Sequence, residues 1–119
     1  MNLGNLYSRF PAKHKEAEMY YKKALKMSPD SALLRYNYGI FLANTKRPAA
    51  AEKELLRALE CDSSYHPAYN QLGIIALQTG RSQVAEKCFS AALELVPDHP
   101  GYRNNLQCVR NGNRSSANN

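Results

Sequence analysis

The chain repeats itself every 34 residues, and that interval restricts the available folds more than any other feature. Ala17, Ala51 and Ala85 fall at this spacing, and Tyr21, Leu55 and Phe89 follow them by four positions. Three residues on, each copy has a second alanine, Ala24, Ala58 or Ala92, followed directly by Leu25, Leu59 or Leu93. Gly39 and Gly73 are 34 apart as well, behind Tyr38 and Leu72. Pro29 and Pro97 close the first and third copies, and Ser63 stands at the matching place in the second. So many matches at one interval mark a repeated supersecondary unit.

Residue chemistry says what that unit is. The Ala-x3-aromatic/Leu-x2-Ala-Leu pattern puts apolar side chains at i, i+4, i+7 and i+8, one stripe of an α-helix. Leu or Tyr followed by Gly belongs to a second helix, placed before the first. Glycine costs about 1 kcal/mol against alanine inside a helix. Its recurrence predicts a close helix–helix crossing with no room for a β-carbon. Asp30, Asp62 and Asp98, beside Pro or Ser, read as turn and helix-start signals. The helices expected are 1–9 with 12–27, 32–44 with 48–60, 66–79 with 82–95, and a last one at 100–111. Residues 112–119 are small and polar and read as a disordered tail. No run alternates as a strand would, so the chain is all-α.

These motifs resemble the tetratricopeptide repeat. The resemblance covers residues 1–111 and rests on Leu3-Gly4-x2-Tyr7, Tyr38-Gly39-x2-Leu42 and Tyr69-x2-Leu72-Gly73, with the Ala/aromatic/Ala/Pro series and the turn glycine Gly80. It implies a right-handed α-solenoid: units at about 1–31, 32–65 and 66–99, then a capping helix at 100–111 with Arg103, Gln107 and Arg110 on its wet face. The first unit departs from the pattern with one extra residue near Pro11 and a start at Met1. Both features suggest the C-terminal part of a longer repeat array, or a small protein that needs a neighbour at its N-terminal end.

The resemblance further implies that the first helix of each pair lines a concave groove that takes a partner's peptide or helix, without catalysis. The groove residues would be Asn2, Asn5 and Arg9; Tyr36, Asn37, Ile40 and Asn44; Asn70, Gln71, Ile74 and Gln78; and Asn104 and Asn105. Asn2, Asn37, Gln71 and Asn105 are spaced 35, 34 and 34 apart, forming a ladder of side-chain amides. Each amide donates and accepts, so the ladder could pair with an extended backbone of any sequence. The competing reading is that these amides tie one repeat to the next. Chaperone-adaptor relatives clamp a terminal carboxylate with two Asn plus Lys/Arg. Asn5 and Asn37 match, but Met1, Pro67 and Gln71 replace the cations, which argues against that clamp.

Charge offers a second pointer. Of 119 residues, 16 are Lys or Arg and 10 Asp or Glu, a formal charge of +6. It divides as +4 over residues 1–27, −1 over 28–98 and +3 over 99–119. The repeat centre is neutral, so nucleic acid is disfavoured as a partner. Lys15, Lys22 and Lys26 nevertheless share one helical stripe beside Lys23, which keeps open a surface for RNA, acidic protein or membrane.

Catalytic chemistry finds no foothold. His14, His66 and His99 sit near helix starts, suited to turns or caps, and no metal, cofactor or nucleophile constellation is readable. Cys61, Cys88 and Cys108 lack a C-x-x-C pair and read as reduced thiols, hence a cytoplasmic setting, or an organelle lumen for a piece of a membrane-anchored chain. No basic-then-apolar leader or membrane-length apolar run is present. Asn113-Arg114-Ser115 fits a glycosylation sequon with no other sign of secretion. The expectation is therefore a protein-interaction scaffold that could serve as a subunit of a larger complex, with a repeat tail of an enzyme such as a glycosyltransferase as the alternative.

Overall fold

The computed structural model describes the backbone of residues 14–118 and the side chains of residues 14–112. All regular structure among them is helical: α1 (His14–Met27), α2 (Ala32–Asn44), α3 (Pro48–Cys61), α4 (His66–Gln78), α5 (Ser82–Leu95) and α6 (Pro100–Asn118). The expected helix at 1–9 and the extra residue near Pro11 lie outside the described residues. Helix α6 runs to Asn118, past the expected end of the last helix at 111. No proline follows position 111, nothing crowds Gly112, and the Gln107 amide donates to Asn111 at 3.1 Å across that point. The chain divides into two compact units, the first ending at Tyr65 and the second starting at His66.

In the first unit, α1 buries Ala17, Tyr21 and Leu25, at i, i+4 and i+8. The Tyr21 ring stacks on Tyr38 of α2 at 5.3 Å between centroids and tilts against Phe41 at 5.4 Å. Helix α2 is started by Ser31, whose Oγ accepts the Leu34 N–H at 3.2 Å. It then crosses α3 closely at Gly39. A β-carbon there would come 2.9 Å from Leu55 Cγ and 3.4 Å from the Ala51 carbonyl oxygen. Small side chains at 39 and 51 thus set how near the two helices approach.

Three groups tie α1, α2 and the start of α3 together. Glu18 accepts from the Tyr38 hydroxyl at 3.1 Å and from Arg47 Nη1 at 2.8 Å. Burial works against its charge, but the Arg47 guanidinium, through hydrogen bond and charge, and the Tyr38 hydroxyl outweigh it and hold the carboxyl below its usual range. On α3, buried Glu54 receives Arg35 on one oxygen at 2.9 Å and Arg57 on the other at 3.1 Å. A buried carboxylate without such donors would be costly.

The second unit repeats the plan with different fillers. Gly73 of α4 lies under the Phe89 ring of α5, where an added β-carbon would come within 2.5 Å of Phe89 Cε1. Phe89 is fully buried with Ala76, Ala85, Leu106 and Val109, and Ile74 and Leu93 pack against this cluster. His99 caps α6, its Nδ1 accepting the Tyr102 N–H at 3.2 Å while its ring stacks on Tyr102 at 3.7 Å. His66, the first residue of α4, shares a 2.7 Å hydrogen bond with the Tyr102 hydroxyl.

The two inner turns use one cassette. Thr45 and Thr79 each return their hydroxyl to carbonyls of the helix just ended, at 2.9 to 3.2 Å. The side chains of Arg47 and Arg81 then donate to those threonine oxygens. Between them stand Lys46 at φ 63° and Gly80 at φ 77°, both in the left-handed region that reverses a helix end. Glycine occupies that conformation freely, lysine does not.

Candidate functional site

The repeat places the expected partner-contacting residues on α2, α4 and α6, and the surroundings of each decide what it can offer. Asn2, Asn5 and Arg9 lie outside the described residues. On α2, Tyr36, Asn37 and Ile40 are half-buried and Asn44 is exposed. Tyr36 leans on Tyr65 with ring centroids 5.4 Å apart. Burial raises the pKa of both phenols, so they remain neutral hydrogen-bonding hydroxyls at ordinary pH.

Asn37 opens onto a cleft of about 450 Å³ walled by Tyr20, Ala24 and Met27 of α1 and by Leu33 and Leu34 of α2, with Ser28 and Ser31 at one end. Met27 is 81% exposed, Leu33 57% and Tyr20 45%. These three side chains leave apolar surface in water at the mouth of the cleft. An amide beside it supplies direction, because it can pair with a backbone N–H and C=O together.

The second unit uses part of its amide set internally. Asn105 Nδ2 of α6 donates to Asn70 Oδ1 of α4 at 2.8 Å, joining two helices of the same unit. Ile74 packs against the α5–α6 core. Gln71 is half-buried and Gln78 exposed. The amide spacing read from the sequence therefore mixes two chemistries: Asn105 is occupied by Asn70, while Asn37 borders open space. Asn104 is exposed on the neighbouring face of α6.

Sequence reasoning did not find the α1 wall of the cleft. Tyr20 and Met27 are the repeat partners of Glu54 and Cys61 on α3 and of Cys88 and Leu95 on α5. The signal was present in that comparison. Large apolar groups stand on α1 where α3 has a carboxylate and a thiol, and Ala24 is half-buried where Ala58 and Ala92 are fully buried. Among the described residues no group of His, Cys, Asp or Glu could hold a metal, and no helix is long and apolar enough to cross a membrane.

Two tetratricopeptide repeat signatures match the chain, one over residues 12–73 and one over residues 66–99. The chain belongs to the tetratricopeptide repeat family. Its all-α fold class is the one implied by the motif spacing. Human tetratricopeptide repeat protein 7A is 34% identical over 85 residues, covering 71% of this chain and 10% of that protein. Human protein O-mannosyl-transferase TMTC3 is 30% identical over 100 residues, covering 83% of this chain and 11% of that protein. The tetratricopeptide chain thus spans about a tenth of the length of these relatives. Among solved structures, the first tetratricopeptide domain of Spaghetti (RPAP3), bound to the HSP90 peptide SRMEEVD, superposes with a TM-score of 0.80 at 27% identity, covering 92% of this chain and 86% of that one.

Proposed function

We propose that the chain is a non-catalytic scaffold that captures a segment of a partner protein on the inner faces of its repeat helices. The observation that carries this reading is the open cleft at Asn37, in which the half-buried amide borders exposed Met27, Leu33 and Tyr20. Such a surface suits an extended peptide or a helix with one or two apolar side chains: the cleft takes the side chain and the amide takes the backbone. Support comes from the Spaghetti domain, which has the same family fold and holds a peptide. Asn44 would add a polar contact in the first unit, and Gln71 and Gln78 would offer the same amide chemistry within the second. Asn70, Asn105 and Ile74 contribute mainly by holding α4 in place. Arg9, Asn2 and Asn5 belong to the same proposal through their repeat positions alone.

The test is capture of partner segments from a displayed peptide library, followed by affinity measurement on the selected peptides. The double variant Asn37→Ala/Leu33→Ala is expected to weaken the selected peptides by at least about tenfold, the loss of one hydrogen-bonding group and one apolar wall. Its melting temperature should stay near that of the parent, since neither side chain is in the core. Peptides that bind the double variant as well as the parent would place the contact surface elsewhere.

A second reading is favoured by the likeness to the O-mannosyl-transferase. In it, the same scaffold serves as the recognition part of a larger enzyme and positions a protein substrate. The chain itself supplies no transferase chemistry in this reading, so sugar transfer by residues 1–119 alone would refute it.

A further inference from the structure

We propose that the first unit holds a second binding site, on the junction of α1, α2 and α3, for an aryl phosphate: a phosphomonoester dianion on an aromatic carrier, the chemistry of a phosphotyrosine side chain. A cleft of about 340 Å³ is lined there by Lys22, Leu25 and Lys26 of α1, Arg35 and Tyr38 of α2, and Glu54 and Arg57 of α3. Four cations face one carboxylate, and three separate helices supply them. That is a different matter from a solvated lysine stripe on a single helix.

The internal pairing explains why the excess is usable. Glu54 is held on both oxygens by Arg35 and Arg57, at 2.9 and 3.1 Å. Arg35 also donates from Nε to the Pro29 carbonyl at 3.2 Å. These bonds fix the two guanidinium groups before any ligand arrives, and a preordered fork loses less entropy on binding an anion. Glu18, the other carboxylate of this region, is already engaged by Tyr38 and Arg47. Lys22 and Lys26 stand exposed at the rim, one helical turn apart, Lys22 also acting through its charge on the Glu18 carboxylate. A single carboxylate would leave most of this charge uncompensated. A phosphate dianion with three acceptor oxygens matches it better.

The floor selects the carrier. Leu25 and Tyr38 are 8% and 7% exposed and present an apolar base between the cations. An aromatic ring can lie on that base while its phosphate reaches Lys22, Lys26 and Arg57. An alkyl phosphate gains only the charge contacts. The site is separate from the Asn37 cleft, whose residues it does not share.

The experiment is a backbone amide NMR titration of the whole chain with phenyl phosphate at low salt, beside methyl phosphate and benzoate. Phenyl phosphate is expected to shift amides around Lys22, Lys26, Arg35 and Arg57 saturably, and to bind several-fold more tightly than either comparator. The double variant Lys22→Gln/Lys26→Gln, with both changes exposed, should keep the parent melting temperature and lose at least about tenfold in affinity. Equal binding of benzoate or methyl phosphate, shifts scattered over other helices, or undiminished binding by the double variant would each overturn the proposal. A short peptide carrying phosphotyrosine should bind at least as tightly as phenyl phosphate, because the cleft is open. Weaker binding by that peptide would overturn the protein-borne source.

Discussion

Lys46 shows how one residue can be at odds with the repeat that contains it. Its backbone sits at φ 63°, where the second unit has Gly80 at φ 77°. The side chain brings a steric cost that glycine lacks. Lys46→Gly is therefore expected to stabilise the chain by about 0.5–1 kcal/mol, and Gly80→Lys to destabilise it by a similar amount. Urea midpoints of the two variants check both signs. Ionisation at the α1–α2 contact has a sign as well. Burial pushes the Tyr21 phenol up to about 12, and burial with the nearby Glu18 carboxylate pushes Tyr38 up to about 12, both from an ordinary 10.0. A raised tyrosine pKa means that the fold prefers the neutral phenol. That stability is fully present below pH 10 and is lost as pH rises from 10 to 12. Glu18 runs the other way: its lowered carboxyl stabilises above 4.5 and fails as pH falls below that value. Melting temperature should accordingly drop at both extremes. Tyr38→Phe should lose part of the alkaline drop, and a full alkaline drop in that variant would refute the assignment.

Helix crossings were the most legible elements, because the physical demand that fixes them also appears as a residue choice. Glycine recurring inside a helix against its own propensity points to a near neighbour, and Gly39 and Gly73 each have one. What the sequence did not disclose is how differently the two neighbours can yield. At Gly39 the obstacle is Leu55, equally buried, whose Cγ and Cδ2 would stand at 2.9 and 3.0 Å, a smaller overlap. At Gly73 it is a face of the Phe89 ring, with atoms at 2.5, 2.7 and 2.9 Å and no exposure to move into. Gly73→Ala should thus cost about 1–3 kcal/mol of overpacking, more than the ~1 kcal/mol that alanine returns in helix propensity. Gly39→Ala should cost clearly less. Adding Phe89→Leu to Gly73→Ala should recover part of the loss; denaturant unfolding of the three variants measures all of this. The turn cassette of Thr45 and Arg47, repeated in Thr79 and Arg81, went unread since threonine and arginine are common in any turn. The site was less legible still. Equal spacing of Asn37 and Asn105 could not tell an amide at an open cleft from one spent on Asn70, because that depends on a side chain 35 positions away.

At the scale of the whole molecule, the period of 34 describes a chain assembled from local contacts, and the cores follow that description. Tyr21, Tyr38 and Phe41 pack together in one unit; Phe89, Leu106 and Val109 in the other. In repeat architectures stability is close to a sum of unit and neighbour contributions, so a defect in one core need not weaken both equally. Phe89→Leu separates the possibilities, as the smaller side chain should cost on the order of 1 kcal/mol by loosening the packing around Ala76 and Ala85. Native-state hydrogen exchange reads that loss amide by amide. Slowly exchanging amides of α4, α5 and α6 should lose protection by the full measured amount. Those of α2 and α3, which close over Leu55 and Gly39, should keep most of theirs. Equal losses in all five helices would mean that the chain opens as one cooperative body, and the two cores would then share a single stability despite their separate contacts.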